Sequence, residues 1–138
     1  LAFPLITAML DPVTRKKDTT WRNVGGLIDF EEGKTKMVSF ENASPYKWSG
    51  EIAYSAAYVR REENNKLTAF SVNCAHLGCP VRWEEKPELF MCPCHGGVYY
   101  KDGSRAAGPP PRGLHTYPIR IVNNQVEIET QAIPITNI

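Results

Sequence analysis

The chain has 138 residues, of which 42% are hydrophobic, so it is long enough for one domain with a buried core and too short for two full domains. Sixteen Lys and Arg residues stand against fifteen Asp and Glu residues, which leaves a formal net charge of +1 at pH 7. This near balance provides no basic surface of the kind that nucleic-acid-binding domains use, so polyanion binding is disfavoured.

The amino-terminal segment is apolar and then becomes charged. Residues 1–10 are almost wholly apolar, and a charged, proline-containing stretch follows at residues 11–18. Ten apolar residues cannot span a bilayer as a helix, which needs about 20 residues. The pattern fits the end of a membrane anchor followed by a tether, or else a buried edge strand or a tail.

Short runs with strand character fill the next part of the chain. Residues 25–30 lead into a turn, after which residues 36–40 alternate polar and apolar side chains. Residues 51–60 and 66–72 are rich in β-branched and aromatic residues. The polar residues 62–65 lie between these two runs, so the runs predict a hairpin.

All four cysteines and two of the three histidines fall in two short boxes. The first box reads Cys-Ala-His-Leu-Gly-Cys at residues 74–79, and the second reads Cys-Pro-Cys-His-Gly-Gly at residues 92–97. Residues 82–84 and 89–91 predict two strand arms that connect the boxes through a turn at residues 85–88. Because Cys and His are the side chains that bind zinc and iron in proteins, the boxes indicate a metal site.

A second hairpin is predicted after the boxes. Residues 114–122 and 125–129 flank Asn123-Asn124, a two-residue turn signal. Eleven prolines and ten glycines lie among the short apolar runs, which argues against any long helix. The sequence therefore predicts an all-β protein in which the boxes are inserted in an antiparallel scaffold.

Spacing and ligand type favour one kind of metal site. A structural zinc site usually takes four side chains from Cys-x₂₋₄-Cys and His-x₃₋₅-His pairs, and an all-cysteine iron–sulfur site would leave both histidines unexplained. In a Rieske-type centre, one iron takes two thiolates and the other takes two imidazoles. One Cys and one His from each box would meet that requirement and leave one Cys per box to spare.

The boxes resemble those of the Rieske iron–sulfur subunits of quinol-oxidising cytochrome bc complexes. The resemblance extends to Trp-Arg-Asn-Val-Gly at residues 21–25 and to Ala-Gly-Pro-Pro-Pro-Arg at residues 107–112, so it covers most of the chain. It implies an all-β Rieske fold, in which an antiparallel β base sandwich carries an inserted small cluster-binding subdomain.

The resemblance also implies how the chain is divided. The base domain would comprise residues 19–72 and 114–138, and the cluster-binding subdomain would comprise residues 73–113. Residues 1–18 would be the end of a membrane anchor and its tether. The soluble domain would then lie on the extracytoplasmic face of the membrane, periplasmic or outer.

The resemblance assigns a role to each Cys and His of the boxes. The implied ligands of a Rieske-type [2Fe-2S] cluster are Cys74 and Cys92 on one iron and His76 and His95 on the other. Cys79 and Cys94, which related ferredoxins and ring-hydroxylating oxygenases generally lack, would form a disulfide. A disulfide that closes a loop of about 15 residues stabilises a fold by roughly 3 kcal/mol in the chain-entropy model. Disulfides persist in oxidising compartments, which agrees with the extracytoplasmic placement.

Residues beside the ligands are expected to tune the cluster. Gly78 and Gly96 lie where tight turns demand positive φ angles, which glycine tolerates. High-potential members of the resembled family have a serine donor where this chain has Gly97, whereas Tyr99 matches the family's tyrosine, whose hydroxyl bonds a cluster thiolate. We therefore expect a potential within the Rieske range of about −150 to +300 mV but below that of serine-bearing relatives. Such a value suits menaquinol, and Gly97→Ser should raise it.

Other residues would shape the surroundings of the cluster. By the resemblance, Leu77 would form part of an apolar docking surface, although an ordinary buried leucine is an equal alternative. The loop formed by Gly108, Pro109, Pro110 and Pro111 would shield the cluster on a further side, or would simply be a rigid turn.

The implied function is electron transfer from quinol to a cytochrome. The outer nitrogens of His76 and His95 would accept a hydrogen bond and a proton from quinol, because imidazole exchanges protons near physiological pH. The protein would be a subunit of a quinol-cytochrome c reductase, with cytochrome b and a cytochrome c-type acceptor as partners. Two alternatives stay open: the small Rieske subunit of a molybdenum oxidoreductase such as arsenite oxidase, and a zinc-stabilised binding module.

Overall fold

The computed structural model describes residues 19–42 and 54–131. The predicted anchor and tether at residues 1–18 lie outside the described residues, as do residues 51–53 of the predicted first hairpin. No helix within the described ranges is long and apolar enough to cross a membrane.

Antiparallel strands dominate the described part of the chain. The strands are β1 Thr19–Gly26, β2 Thr35–Glu41, β3 Tyr54–Arg61, β4 Leu67–Ser71, β5 Arg82–Glu84, β6 Leu89–Cys92, β7 Gly97–Tyr100, β8 Arg105–Ala107, β9 Thr116–Tyr117, β10 Ile119–Val122 and β11 Gln125–Gln131. Two 3₁₀ turns, Leu27–Asp29 and Glu63–Asn65, are the helical elements between residues 19 and 131 outside the 43–53 gap. The all-β prediction is confirmed, and so is the expectation that these ranges contain no long helix.

Two sheets enclose the first apolar core. One sheet has the strand order β1-β11-β10, and the other has the order β2-β3-β4-β9. Their inward-facing side chains form a core of buried residues, namely Phe30, Val38, Phe40, Ala57, Val59, Ala69, Val126 and Ile128. Alternation of side chains along each strand places all of these residues on one face except Phe30, which follows the Leu27–Asp29 turn. These two sheets are called the base sheets below.

Both predicted hairpins form, and the second needs one correction. β3 and β4 pair antiparallel, as predicted from their aromatic and β-branched residues. Asn123 and Asn124 adopt φ angles of 49° and 60°, which makes the tight two-residue turn between β10 and β11. The run 114–122 is not one strand, because Pro118 separates β9, which pairs with β4, from β10, which pairs with β11. Proline has no N–H to continue a ladder.

The predicted strand at residues 25–30 is wrong beyond its first two residues. The chain leaves β1 at Gly26, and Leu27–Asp29 form a 3₁₀ turn. The Gly26 amide donates to Asp29 Oδ2 at 2.9 Å, and the Leu27 amide donates to the Asn124 carbonyl at 2.8 Å. One local hydrogen bond and one to the turn between β10 and β11 thus replace the strand ladder that apolar Leu27 and Ile28 suggested.

The third sheet, with the order β5-β6-β7-β8, carries both boxes. Residues 74–79 precede β5, residues 92–97 connect β6 to β7, and residues 108–111 follow β8, so all three segments lie at one end of the sheet. We call this end the tip. A second apolar core lies beneath it, formed by Phe70, Cys74, Val81, Phe90, Cys92, Tyr99 and Leu114.

Candidate metal centre

The two boxes fold into loops with the same backbone hydrogen bond. The Gly78 amide donates to the Cys74 carbonyl at 3.0 Å, and the Gly96 amide donates to the Cys92 carbonyl at 3.2 Å. Both glycines have positive φ angles, +78° and +72°, and a Cβ on either would meet no atom within 4 Å. Backbone conformation, and not lack of space, therefore requires glycine at both positions, as the sequence indicated.

A disulfide joins the two loops between Cys79 and Cys94, which are 15 residues apart. The first loop is closed further by the Cys74 amide, which donates to the Cys79 carbonyl at 2.8 Å. The loops are thereby held face to face, and the other two cysteines stay free.

The two free thiols lie beneath the loops in the same apolar core. Cys74 and Cys92 are only 5% and 4% exposed, and both belong to the buried cluster under the tip. A pair of buried thiols in one core is a bidentate soft-metal site, because thiolate is the form that binds metals.

Tyr99 is the third group at this buried site. Its hydroxyl lies 2.9 Å from Cys74 Sγ, and the Ala75 amide donates to the hydroxyl oxygen at 3.0 Å. The ring is fully buried, and β7 holds it in register with Phe90 of β6. Since the Ala75 amide already occupies the acceptor side of the oxygen, the hydroxyl hydrogen is directed to the sulfur.

The pKa shifts of Cys74 and Tyr99 agree with Tyr99 as the hydrogen-bond donor. Burial raises the pKa of the Cys74 thiol, but hydrogen bonds from Tyr99 and from the His76 and Leu77 amides outweigh it and hold the pKa below its ordinary value. Burial and the hydrogen bond to Cys74 raise the pKa of Tyr99 to about 12. Tyr99 therefore stays protonated and donates, and Cys74 is the group prepared to carry negative charge.

The two imidazoles of the boxes lie together at the surface. The rings of His76 and His95 have their centroids 5.0 Å apart and stand nearly perpendicular, at 87°. His76 is half-buried and His95 is exposed. Leu77 between the ligand positions is 71% exposed, which excludes the buried-leucine alternative.

Pro110 closes the space beside Cys74. Gly97 has no positive φ angle, yet a Cβ there would lie 2.8 Å from Pro110 Cγ and 3.4 Å from Cys74 Sγ. Pro110 is fully buried, whereas Pro109 and Pro111 are exposed. A serine at position 97 therefore requires a shift of Pro110, a requirement that the sequence does not reveal.

The loop at residues 108–111 packs directly on the second box. Gly108 has φ +88°, and a Cβ there would lie 2.4 Å from the Gly96 carbonyl oxygen. Arg105 Nη2 donates to the Gly108 carbonyl at 2.6 Å and holds the loop from its other side. Sequence reasoning missed Arg105, and its position three residues before a Gly-Pro pair is the only sequence signal for it.

The donor set fits a Rieske-type centre. Each loop offers one buried thiol and one surface imidazole, while the disulfide removes the other two sulfurs from ligation. Tyr99 supplies a hydrogen-bond donor to one thiol, and Pro110 covers the same sulfur. Two thiols inside and two imidazoles outside match the unequal ligation of the two irons in such centres.

Comparison with known proteins also indicates a Rieske-type centre. A family model described as the Rieske [2Fe-2S] domain matches residues 20–118. The chain is 32% identical to the menaquinol:cytochrome c reductase iron-sulfur subunit of Geobacillus thermodenitrificans over 80% of this chain and 68% of that protein. It is 28% identical to the cytochrome b6-f complex iron-sulfur subunit of Chlorobaculum tepidum over 91% of this chain and 62% of that protein. The chain thus spans about two thirds or less of the length of these relatives.

A solved structure supports the fold. The plasma-membrane Rieske protein of the cyanobacterium Synechocystis superposes with a TM-score of 0.56 at 24% identity. The match covers 78% of this chain and 97% of that protein.

Proposed function

The chain belongs to the Rieske [2Fe-2S] domain family, and we propose that it is the electron-carrying domain of a bc-type quinol-cytochrome reductase. Its family and its relatives imply a Rieske-type [2Fe-2S] cluster. The observation that carries the proposal is the pairing of two buried thiols with two surface imidazoles across one disulfide. The cytochrome complex subunits among the relatives support it.

The proposed ligands are the four side chains that the sequence indicated. Cys74 and Cys92 would bind the buried iron, and His76 and His95 would bind the iron nearer the surface. When bound, such a cluster supplies one-electron chemistry at potentials between about −150 and +300 mV. Tyr99 would stabilise the extra negative charge of the reduced state through its hydrogen bond to Cys74.

The exposed histidine side chains would handle the proton. A metal-bound imidazole has one further nitrogen, which can hold or release a proton near neutral pH. His95 is exposed and His76 half-buried, so a quinol hydroxyl can approach either ring, and exposed Leu77 offers the quinol ring an apolar contact. Fully buried Pro110 would help to keep water from the Cys74 side of the site, since both residues lie next to Gly97.

Menaquinol is the proposed quinol. Two relatives, at 32% and 30% identity, are named as menaquinol:cytochrome c reductase subunits. The absence of a side chain at Gly97 leaves Tyr99 as the hydroxyl donor at Cys74, which favours a potential in the lower part of the range.

The division of the chain and its membrane attachment are part of the proposal. We propose that residues 73–113 form the cluster-binding subdomain, inserted between base-domain residues 19–72 and 114–138. Residues 1–18 would provide the end of an anchor and a tether, with the soluble domain on the extracytoplasmic face.

Spectroscopy and one assay test the proposal. The purified chain should contain two irons and two sulfides and should give the rhombic electron paramagnetic resonance signal of a reduced Rieske centre. A colourless, zinc-containing protein would refute it. Restoring menaquinol-cytochrome c reductase activity to a complex lacking its iron–sulfur subunit would separate this role from that of a molybdenum oxidoreductase subunit, which would restore none.

A further inference from the structure

The acidic residues of the third sheet lie away from the tip. The sequence contains no Asp or Glu in residues 64–83, 89–101 or 103–126, which include both boxes and the loop at 108–111. The carboxylates of this sheet lie on β5 and in the two turns opposite the tip; they are Glu84, Glu85, Glu88 and Asp102. The tip therefore carries no negative side chain.

Three arginines lie next to the tip without an acidic partner. Arg82 begins β5, three residues after the first box, and pairs with Met91, the residue before Cys92. Arg105 is hydrogen-bonded to the Gly108 carbonyl, and exposed Arg112 follows the proline run. Within residues 19–42 and 54–131, none of the three forms an ion pair. By contrast, three of the four arginines of the base sheets, Arg22, Arg60 and Arg120, are paired with carboxylates, and the fourth, Arg61, donates to the Leu27 and Phe30 carbonyls.

The centre of the tip is apolar. Leu77 is largely exposed, and so are Pro109 and Pro111, beside exposed His95. An apolar centre with a charged rim is the usual anatomy of a protein interface. Opposite charge on the partner speeds encounter and fixes orientation more than it raises affinity, which suits a carrier that must release each partner.

We propose that the tip binds its haem-bearing electron acceptor through an acidic surface on the acceptor. Carboxylates of the acceptor would meet Arg82, Arg105 and Arg112 around the apolar centre. This inference rests on the proposed function. Quinol is uncharged and needs only the histidines and the apolar residues, so it gives the arginines no charged partner. In the encounter, one electron leaves the reduced domain and converts ferric haem to ferrous haem.

Electron transfer to two forms of one acceptor tests this inference. The acceptors are a basic mitochondrial cytochrome c and the same protein with its lysines succinylated, which makes it acidic. Stopped-flow mixing with the reduced, cluster-containing chain gives the second-order rate constant at several ionic strengths. We expect the rate constant for the acidic form to exceed that for the basic form at low ionic strength and to fall as salt is added.

Two triple variants of equal net charge show which positive residues determine the rate constant. Arg82→Gln/Arg105→Gln/Arg112→Gln should lower the rate constant for the acidic cytochrome about tenfold at low ionic strength and flatten its salt dependence. The control, Lys36→Gln/Lys66→Gln/Lys86→Gln, removes three positive charges away from the tip and should change the rate less than about twofold. Arg82→Gln/Arg112→Gln, which leaves the Arg105 contact with Gly108 intact, should give a smaller loss in the same direction.

The outcomes separate the two proposals. Equal losses in the arginine and lysine variants, or faster reaction with the basic cytochrome, would overturn the acidic-acceptor inference alone. An arginine variant that loses binding to anionic-lipid vesicles while keeping its rate with the acidic cytochrome would also overturn it. Failure to reduce either cytochrome, with an intact resonance signal, would refute the proposed function itself.

Discussion

Single hydrogen bonds and single ring contacts determine the surroundings of the buried thiols. Tyr99 contacts Cys74 through one hydroxyl, and Pro110 fills the space that a side chain at position 97 would need. The sequence predicted that positions 97 and 99 matter, because both flank the second box. It could not predict the Pro110 contact, which depends on how two loops far apart in sequence pack.

Tyr99→Phe should lower both the potential and the stability. The variant removes the donor to Cys74 and leaves the Ala75 amide without its acceptor in a buried position. We expect a lower midpoint potential, because the reduced state loses a donor, and a loss of about 1 to 3 kcal/mol in the free energy of unfolding. A redox titration and urea unfolding measure the two effects. Tyr100→Phe, on the exposed side of the same strand, is the matched control.

Gly97→Ser alone should destabilise the protein. Its Cβ would approach Pro110 Cγ to 2.8 Å, so we expect a loss of about 1 to 3 kcal/mol in the free energy of unfolding. In Gly97→Ser/Pro110→Ala the space is open, and the serine hydroxyl can add a donor that raises the potential above that of Pro110→Ala. Redox titrations of Gly97→Ser, Pro110→Ala and the double variant give the three potentials to compare. A stable single variant with unchanged potential would contradict the packing argument.

At the scale of elements, the third sheet is joined to the base by charged side chains. Arg60 of β3 is only 3% exposed and binds Glu88 in the β5–β6 turn at 3.2 Å, while its guanidinium lies 5.7 Å from the Trp83 ring centre. Lys34 binds Glu85 in the same turn. These pairs lie opposite the tip, so they hold the sheet at its far end and leave the two boxes accessible.

The disulfide should contribute to stability as a loop constraint. Cys79→Ser/Cys94→Ser removes a cross-link between residues 15 apart, and the chain-entropy model assigns about 3 kcal/mol to such a loop. We expect a lower urea midpoint and faster loss of visible absorbance on dilution into chelator. If the variant unfolds and loses its absorbance like the parent chain, the disulfide has no part in holding the loops.

At the scale of the whole molecule, acidic pH should weaken the end of the third sheet opposite the tip, together with its link to the base. The hydrogen bond with Lys101 lowers the pKa of Glu88, the hydrogen bond with Lys34 lowers that of Glu85, and Ser104 lowers that of Asp102. A carboxyl group whose pKa is lowered by folding stabilises the protein above its unfolded pKa. That contribution is lost as the pH falls through the folded pKa.

We therefore expect the melting temperature to fall as the pH drops below about 4.3, the ordinary value for Glu. Glu88→Gln should make this decline shallower, since it removes one of the three groups. Glu84→Gln removes the same charge from an exposed position on the third sheet and serves as the control. Identical pH profiles for Glu88→Gln and the parent chain would show that Glu88 and its pairs with Arg60 and Lys101 have no role in acid stability.

Much of the molecule could be predicted from the sequence because its signals are local. Alternating strands, the Asn123-Asn124 turn and the two boxes each depend on neighbouring residues. The 3₁₀ turn at Leu27–Asp29, the break at Pro118 and strands β7 and β8 depend on partners elsewhere in the chain. The same is true of Arg105 and Pro110, which act through contacts with the second box.

The crowding of sulfur atoms at the tip has a consequence for maturation. The sulfurs of Cys79, Cys92 and Cys94 lie within 4.8 Å of one another, and Cys74 belongs to the same apolar cluster. Any two of the four cysteines could form a disulfide, and only the bond between Cys79 and Cys94 leaves Cys74 and Cys92 free for iron. Thiolate attack on a nearby disulfide exchanges such pairings. The order of events during biogenesis therefore matters. If iron binds Cys74 and Cys92 first, only Cys79 and Cys94 are left to oxidise, and only the disulfide between them can form.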